Sequence, residues 1–496
     1  MKVTNTMDTN SSSSHPPDRK YLFLTMEQVQ QNHNVVQRVC EATKHRMNPL
    51  LPLGRADEWD GRQASPWAAR TVLYDEEEKL FKCWYNGTDL TDQQSWASGY
   101  AVSSDGIHWT KPHLGLIEYN GSKDNNIVFA GWGSVLKDDH EPNESRRYKA
   151  MLMGPVPKND YGIRLAYSPD GIHWHEQEPF KIPDWRGRNP DIVAFIKDEQ
   201  ESNPDRRFKL IWQDTHQSKK PGPDAVRIKS IAFSPDGQHF TGSTDNPILD
   251  PNDGPEVENH FVMVAPYEGY WIMPYEAAWY TPNGLGLYGQ YMGDVRLAVS
   301  TDGEHFNRVN PFEILIRRGS HGQWDDCFLV TSDKPIVKGN TIYLFYCGQG
   351  QDWSYWPAQN ISPNAETAGV GSRCMSRMGL ATLPLDRWTC LETQDREIPG
   401  TLTTNPIEIM DPNIELFLNV SSLHQNSSFV RVEVLDGTSG QVIEGFDRHS
   451  CERIEQDAIR RHVRWQGKTL SDLRCGRYQF CIELCGAARI HSYSLS

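Results

Sequence analysis

Alternating apolar and polar runs such as "YGIRLAYS" and "GDVRLAVS" lead straight into one recurring turn, found as "SSDGIHW" at 103–109, "SPDGIHW" at 168–174, "SPDGQHF" at 234–240 and "STDGEHF" at 300–306. Alternation with a period of two reads as β-strand, and Asp-Gly supplies the positive φ of a tight turn, so each copy predicts a β-hairpin. The closing Trp or Phe is expected to pack between sheets. The turn aspartates Asp105, Asp170, Asp236 and Asp302 stand 65 or 66 residues apart.

A second series lies upstream of these turns: "FKCWYNG" from 81, "YKAMLMG" from 148, "FKLIWQD" from 208, "YWIMPYE" from 270 and "IYLFYCG" from 342. Ahead of each runs another strand candidate: "ARTVLYD", "GSVLKDD", "DIVAFIKD", "HFVMVAP" and "FLVTSDKPIV". Four strands in about 65 residues is the size of a propeller blade. The fifth hairpin, "MGLATLPLDRW", is degenerate and follows an inserted loop at 349–373. The expected architecture is all-β, a five-bladed β-propeller over 61–404 followed by a β-sandwich over 405–496. Residues 1–19 read as a disordered tail, and 20–60 as a strap over the propeller with a short helix in "TMEQVQQNHNVVQRVCEA". The Asp-Gly turns themselves read as scaffold.

Composition changes this picture in two ways. Sixteen Trp and 10% aromatic residues exceed what blade packing needs, which points to rings available for a ligand. A formal charge of -15 with no long basic run excludes a nucleic-acid partner. The ten cysteines form no zinc-type CxxC pairs, and Cys481 and Cys485 fall on one strand face, which suits two packed thiols as well as two ligands. No metal or cofactor is expected. Neither a signal peptide nor a membrane-crossing stretch is legible, so the expectation is a cytoplasmic protein without a membrane partner.

The blade count, the "SPDGIHW" turns, the segment "FLTMEQVQQ…KHRMNPLLPLG" and the terminal sandwich together resemble the five-bladed propeller glycoside hydrolases of the family 32 and family 43 type, in particular a bacterial branch with such a turn in most blades. The resemblance implies three axial carboxylates from different blades: an Asp acting as base or nucleophile, a middle Asp that orients or tunes, and a Glu that donates the proton. The Asn-Asp-Pro-Asn-Gly string of family 32 is absent, which argues against fructose-type substrates.

Glycosidic cleavage needs two carboxyl groups of different pKa facing each other across the sugar. The starts of the inner strands are where such groups converge. In "GRADEWDGRQASPW" Asp60 is favoured over Asp57 and Glu58, because Gly61 follows it. In "RGRNPDIVAFIKD" Asp191 precedes an apolar strand, with Arg186 and Arg188 at hand; it resembles the middle Asp. In "DGPEVENHFVMVAPY" Glu256 and Glu258 stand two apart, on one face if the segment is a strand, and Glu258 is the preferred proton donor. In "SHGQWDDCFLV" only one of Asp325 and Asp326 can face the axis. Arg188, His260, His321, Trp324 and Asp325 are candidate substrate binders, and Trp279, Tyr280, Tyr288, Trp353, Tyr355 and Trp356 candidate sugar-stacking rings. A glycosidase acting on an oligo- or polysaccharide is the first reading. A glycoside phosphorylase, kept open by Arg186, Arg188, Arg317 and Arg318, and a non-catalytic glycan-binding propeller are the alternatives.

Overall fold

The computed structural model describes residues 19–61, 63–66, 70–89, 97–153, 155–156, 160–161, 163–180, 191–220, 224–282, 288–350 and 376–496. Among them the fold is all-β, with strands interrupted only by single 3₁₀ turns. The chain divides into two compact units: residues 39–388, and a second made of 1–38 with 389–496.

The 39–388 unit carries five antiparallel groups among the described residues. The second is Trp132–Lys137, Tyr148–Met153, Arg164–Ser168 and His175–Glu176; the third is Asp191–Lys197, Phe208–Gln217, Ala225–Ser234 and Thr241–Gly242. The other three join through single parallel pairings, Gly293 with Phe328 and Arg377 with Ala64. In the fourth group the run "HFVMVAP" forms a strand only at Ala265–Tyr267, and upstream of it Val262 makes an isolated bridge to Tyr275. The fifth group takes its outermost strand from the other end of the unit, Thr43–Lys44 pairing with Thr382 and Ala381. The degenerate fifth hairpin is thereby explained: its last strand does not follow in sequence.

Where the first strands of the groups meet, backbone polar groups are satisfied between groups rather than within them. Arg70 N donates to Gly133 O (3.0 Å), Val135 N to Thr71 Oγ1 (2.8 Å), Phe195 N to Ser134 Oγ (3.0 Å) and Asp333 N to Arg70 O (3.0 Å). One oxygen of Asp333 accepts from both Thr71 and Ser134 at 2.6 Å. The wholly buried Arg70 guanidinium donates to Val262 O and Thr331 O and lies 4.1 Å over the Phe261 ring.

The Asp-Gly turns are four copies of one structure. In each, Ser Oγ accepts from Gly N, Asp Oδ1 accepts from the next two amides, and Asp Oδ2 pairs with the His ring nitrogen at 2.7–2.8 Å. The turn glycines have φ from 75 to 81 and press against aromatic rings, Gly171 against Trp84 and Tyr148 and Gly303 against Trp271. Trp84 Nε1 also donates to Gly171 O across the first and second groups.

In the other unit, Leu416, Leu418, Val420, Ile490 and Tyr493 of one sheet share an apolar cluster with Val430, Val432, Phe480 and Ile482 of the other. Two expectations change here. The segment read as a helix within a strap is a 3₁₀ turn, Met26–Gln28, and two strands, Val29–His33 and Val35–Val39. Its valines favour strand, and Asn34 takes φ 52 between them. Residues 389–404 also group with this unit, because Thr389–Thr393 and Gly400–Thr404 pair with Arg489–Leu495 and Gly476–Cys485.

Gly171→Ala is expected to destabilise the chain by about 1–3 kcal/mol in chemical denaturation, since a Cβ there would lie 2.6 Å from Trp84 at a φ that side chains avoid. Burial pushes the turn carboxyls up, but the bonds of the turn outweigh it and hold Asp170 at about 2, with Asp105, Asp236 and Asp302 also below the ordinary range. A depressed carboxyl stabilises above its unfolded value of about 3.9 and loses that contribution as pH falls through the folded one. The melting temperature of Asp170→Asn should therefore lie below that of the parent at pH 5–7 and converge with it near pH 2.

Candidate active site

The third group opens with a row of polar side chains. Register sets Asp191 opposite Gln213 and Gln213 opposite Lys229, so the three lie side by side on one sheet face, and Arg227, two residues before Lys229, shares it. Gln213 Nε2 donates to Asp191 Oδ2 at 3.0 Å. On the facing fourth group, an irregular segment ending at His260 is tied down by the Glu258 bridge to Ala278. Glu258 accepts from Arg227 N (2.9 Å), Arg227 Nη1 (2.8 Å) and Asn259 N (3.0 Å). Lys229 Nζ donates to Asn259 Oδ1. His260 N donates to Glu276 Oε2 at 2.6 Å, and His260 Nδ1 lies 3.1 Å from the same oxygen.

Six ionisable side chains thus meet between the third and fourth groups: Asp191, Glu258, Glu276, Arg227, Lys229 and His260. Burial raises the Asp191 carboxyl above the ordinary range, opposed by Arg227, the Gln213 bond, Lys229 and Arg70. Burial pulls the Lys229 ammonium down against the pull of Glu258, and holds His260 far below its usual value, so that imidazole is neutral at pH 7. By surface area Asp191 is only half-buried, while the apolar strand Ile192–Ile196 behind it is closed to solvent. The hairpin Phe208–Gln217 with Ala225–Ser234 runs four residues past this row, roughly 13 Å at strand rise. The strand Tyr270–Pro282 likewise continues past Ala278, carrying Trp279, over whose ring the Arg318 guanidinium lies at 5.1 Å.

Asp191, Glu258 and His260, predicted from sequence, are brought together. Asp60, Asp325 and Trp324 belong to something else. Asp60 accepts from Tyr85 Oη (2.7 Å) and Lys111 Nζ (2.5 Å); Asp325 accepts from Tyr346 Oη (3.0 Å) and Lys44 Nζ (2.5 Å). In both, a Gly lies against the Asp (Gly54, Gly319), the preceding Trp covers another Gly (Gly87, Gly348), and an Asn donates to the Tyr (Asn126, Asn48). "GRADEWD" and "GSHGQWD" are therefore copies of one staple in the first and fifth groups. Glu256 follows the same logic: Arg308, on the outermost strand of the fourth group as Lys44 is of the fifth, reaches it at 3.0 Å. Glu256 and Glu258 do not share a face, because their segment is not a strand and each turns to a different cation.

His321 is fully exposed, 3.6 Å from Asp326. Arg186, Arg188, Trp353, Tyr355 and Trp356 lie outside the described residues. Sequence reasoning passed over Arg227, Lys229, Gln213 and Glu276; the legible signal was two cations at alternate positions in the apolar run "AVRIKSIAF" and a terminal Glu in "YWIMPYE". Among the described residues one triad, Asp138, His140 and Glu199, has metal-like spacing. Both Asp138 oxygens already accept from lysines, Lys149 at 2.9 Å and Lys197 at 2.7 Å, so the triad fits an ion-pair staple and not a cation site.

No family model and no curated protein matches the chain. Among solved structures it is similar to a glycoside hydrolase (15% identity, 70% of this chain and 92% of that one, TM-score 0.46) and to a glycosyl hydrolase from Bacteroides ovatus (15%, 70% and 93%, 0.44). A fructofuranosidase from Schwanniomyces occidentalis in complex with fructosylnystose is similar over 90% of this chain and 98% of its own, at 10% identity and TM-score 0.40. At this distance the chemistry has to come from the side chains themselves.

Lys111→Met and Lys44→Met each strand a buried carboxylate and should cost about 3–5 kcal/mol in denaturant unfolding, with nearly equal losses because the staples are copies.

Proposed function

We propose that the five groups are blades of a propeller, that the two sheets of the other unit form a β-sandwich, and that the chain is a glycoside hydrolase acting on an oligo- or polysaccharide between the third and fourth blades. One observation carries the reading: Asp191 combines partial exposure with a carboxyl pushed up by burial, among facing carboxylates and cations. A leaving sugar oxygen needs a proton from a carboxyl held above its ordinary range, and burial moves Asp191 in that direction.

The proton donor is thus Asp191, in place of Glu258. Both Glu258 oxygens accept hydrogen bonds, one from the Arg227 guanidinium, which casts it as the anchor of that arginine. Glu276, wholly buried with Oε2 held by His260, is the second carboxyl of the cluster and positions that histidine. Its partner His260, neutral by burial, adds no competing positive charge. Asp60 and Glu256 serve the scaffold in this reading. The overhanging hairpins wall the cleft, with Trp279 offering a ring to a sugar C–H face.

Asp191→Asn should lower kcat/KM on the aryl glycoside that the parent cleaves by about 10²–10⁴-fold, with an unchanged melting temperature. Glu276→Gln should do the same. The alkaline limb of the parent's kcat/KM profile, where a raised carboxyl loses its proton, should lie above the ordinary value of about 4 and vanish in Asp191→Asn. Full activity in Asp191→Asn sinks the assignment. Turnover in phosphate-free buffer separates hydrolysis from phosphorolysis, which the same acid would serve with Arg227 and Lys229 beside the phosphate.

A further inference from the structure

The two carboxyl oxygens of Asp191 stand in different surroundings. Gln213 Nε2 donates to Oδ2 at 3.0 Å, and Oδ1 takes part in no hydrogen bond among the described residues. An amide nitrogen only donates, and the carbonyl oxygen of a protonated acid accepts better than its hydroxyl oxygen. The Gln213 bond therefore favours Oδ2 as the carbonyl and puts the proton of the acid on Oδ1.

The sheet register holds the amide in this sense. Gln213 lies between Asp191 on one neighbouring strand and Lys229 on the other. With a carboxyl on one side and an ammonium on the other, the N–H groups belong toward the carboxyl; rotated, the amide would set them beside a cation. Lys229 Nζ donates to Asn259 Oδ1, and the buried Gln213 Oε1 has no hydrogen-bond partner.

A bland account is that the scaffold accepts a glutamine at this position. The fifth group has one too: Gln349, opposite Phe328 as Gln213 is opposite Asp191, gives its Nε2 to Ser376 Oγ at 3.2 Å. Both leave a buried Oε1 without a partner, a cost that an apolar side chain of equal length avoids. The difference lies in what the N–H group holds. In the fifth group it is a hydroxyl that keeps its proton; in the third it is a carboxyl that burial raises.

We propose that Gln213 is a positioning residue of the hydrolytic step: by holding Oδ2 it makes Oδ1 of Asp191 the oxygen that hands its proton to the leaving sugar oxygen. The step rests on the hydrolase reading. The glycosidic C–O bond breaks with its electron pair going to the leaving oxygen, which takes the Oδ1 proton, and the carboxylate left behind keeps the Gln213 N–H on Oδ2. Water adds to the sugar carbon and releases one proton, which restores the acid. Of the charged groups around Asp191, Arg227, Lys229 and Arg70 favour the carboxylate; Glu258 and Glu276 are the facing acids, and His260 is neutral by burial.

Full-length Gln213→Met and Gln213→Glu test it. Methionine keeps the length and removes the donor, and glutamate sets a second carboxyl beside the first. Carbon-13 labelling of the aspartate carboxyls, with Asp191→Asn to identify the signal, follows the Asp191 titration without substrate. Its midpoint should rise by about one unit in Gln213→Met and further in Gln213→Glu, and the melting temperature of Gln213→Met should not fall. On glycosides of the sugar that the parent cleaves, kcat of Gln213→Met should drop about tenfold with a phenyl leaving group and far less with a dinitrophenyl one, which leaves without a proton, at unchanged KM. Unchanged midpoints in both variants overturn the proposal, and so does an equal loss of kcat on the two glycosides, the mark of a structural defect. Full activity in Asp191→Asn overturns the hydrolase reading and the step with it, while the midpoints, read without substrate, show separately whether Gln213 holds Oδ2.

Discussion

The structure of the 39–388 unit depends on the bonds that the wholly buried Arg70 makes to two different groups. A guanidinium removed from water costs several kcal/mol unless its donors are met. At Nη2 they are met by carbonyls of Val262 and Thr331, from two different groups, while Nε and Nη1 have no hydrogen-bond partner among the described residues; Asp333 answers the charge and is itself held by Thr71 and Ser134. Each bond joins strands distant in sequence, so the first strands satisfy one another only when all are assembled. The polar centre works as a condition on closure.

One seam is served differently. Between the third and fourth groups the links are Arg227 to Glu258 and Lys229 to Asn259, charged side chains in place of hydroxyls and backbone. Buried charges need partners, and Glu258 and Asn259 supply them to Arg227 and Lys229. Asp191 accepts a hydrogen bond from Gln213, is half-buried, and has its carboxyl raised by burial.

Elsewhere carboxylates do structural work by repetition. Asp60 and Asp325 sit in copies of one staple, and Lys149 and Lys209 bind Asp138 and Asp198 in the same manner, each also reaching a Glu and a carbonyl of the adjacent 3₁₀ turn. A carboxylate that recurs with the same cation in equivalent groups is explained by the group. One that occurs once, as Asp191 does in its row with Gln213 and Lys229, is not.

The sequence by itself determined the all-β class, the four Asp-Gly hairpins and the second strands, because strand alternation and turn chemistry are local and the turns repeat every 65 or 66 residues. It also marked Asp191, ahead of an apolar strand, as one candidate beside Asp60, Glu256 and Glu258. It did not reveal that Thr43–Lys44 closes the fifth group, that residues 19–39 pair with the last strands of the chain, or that Glu276, Arg227 and Lys229 join Asp191. Those depend on pairings between segments tens to hundreds of residues apart. Likewise, Asp60 and Asp191 look alike as acids ahead of a strand; only the tertiary structure decided that Lys111 neutralises the first at close range while burial raises the second, since desolvation and ion pairing are set by what packs around a carboxyl and not by its neighbours in sequence.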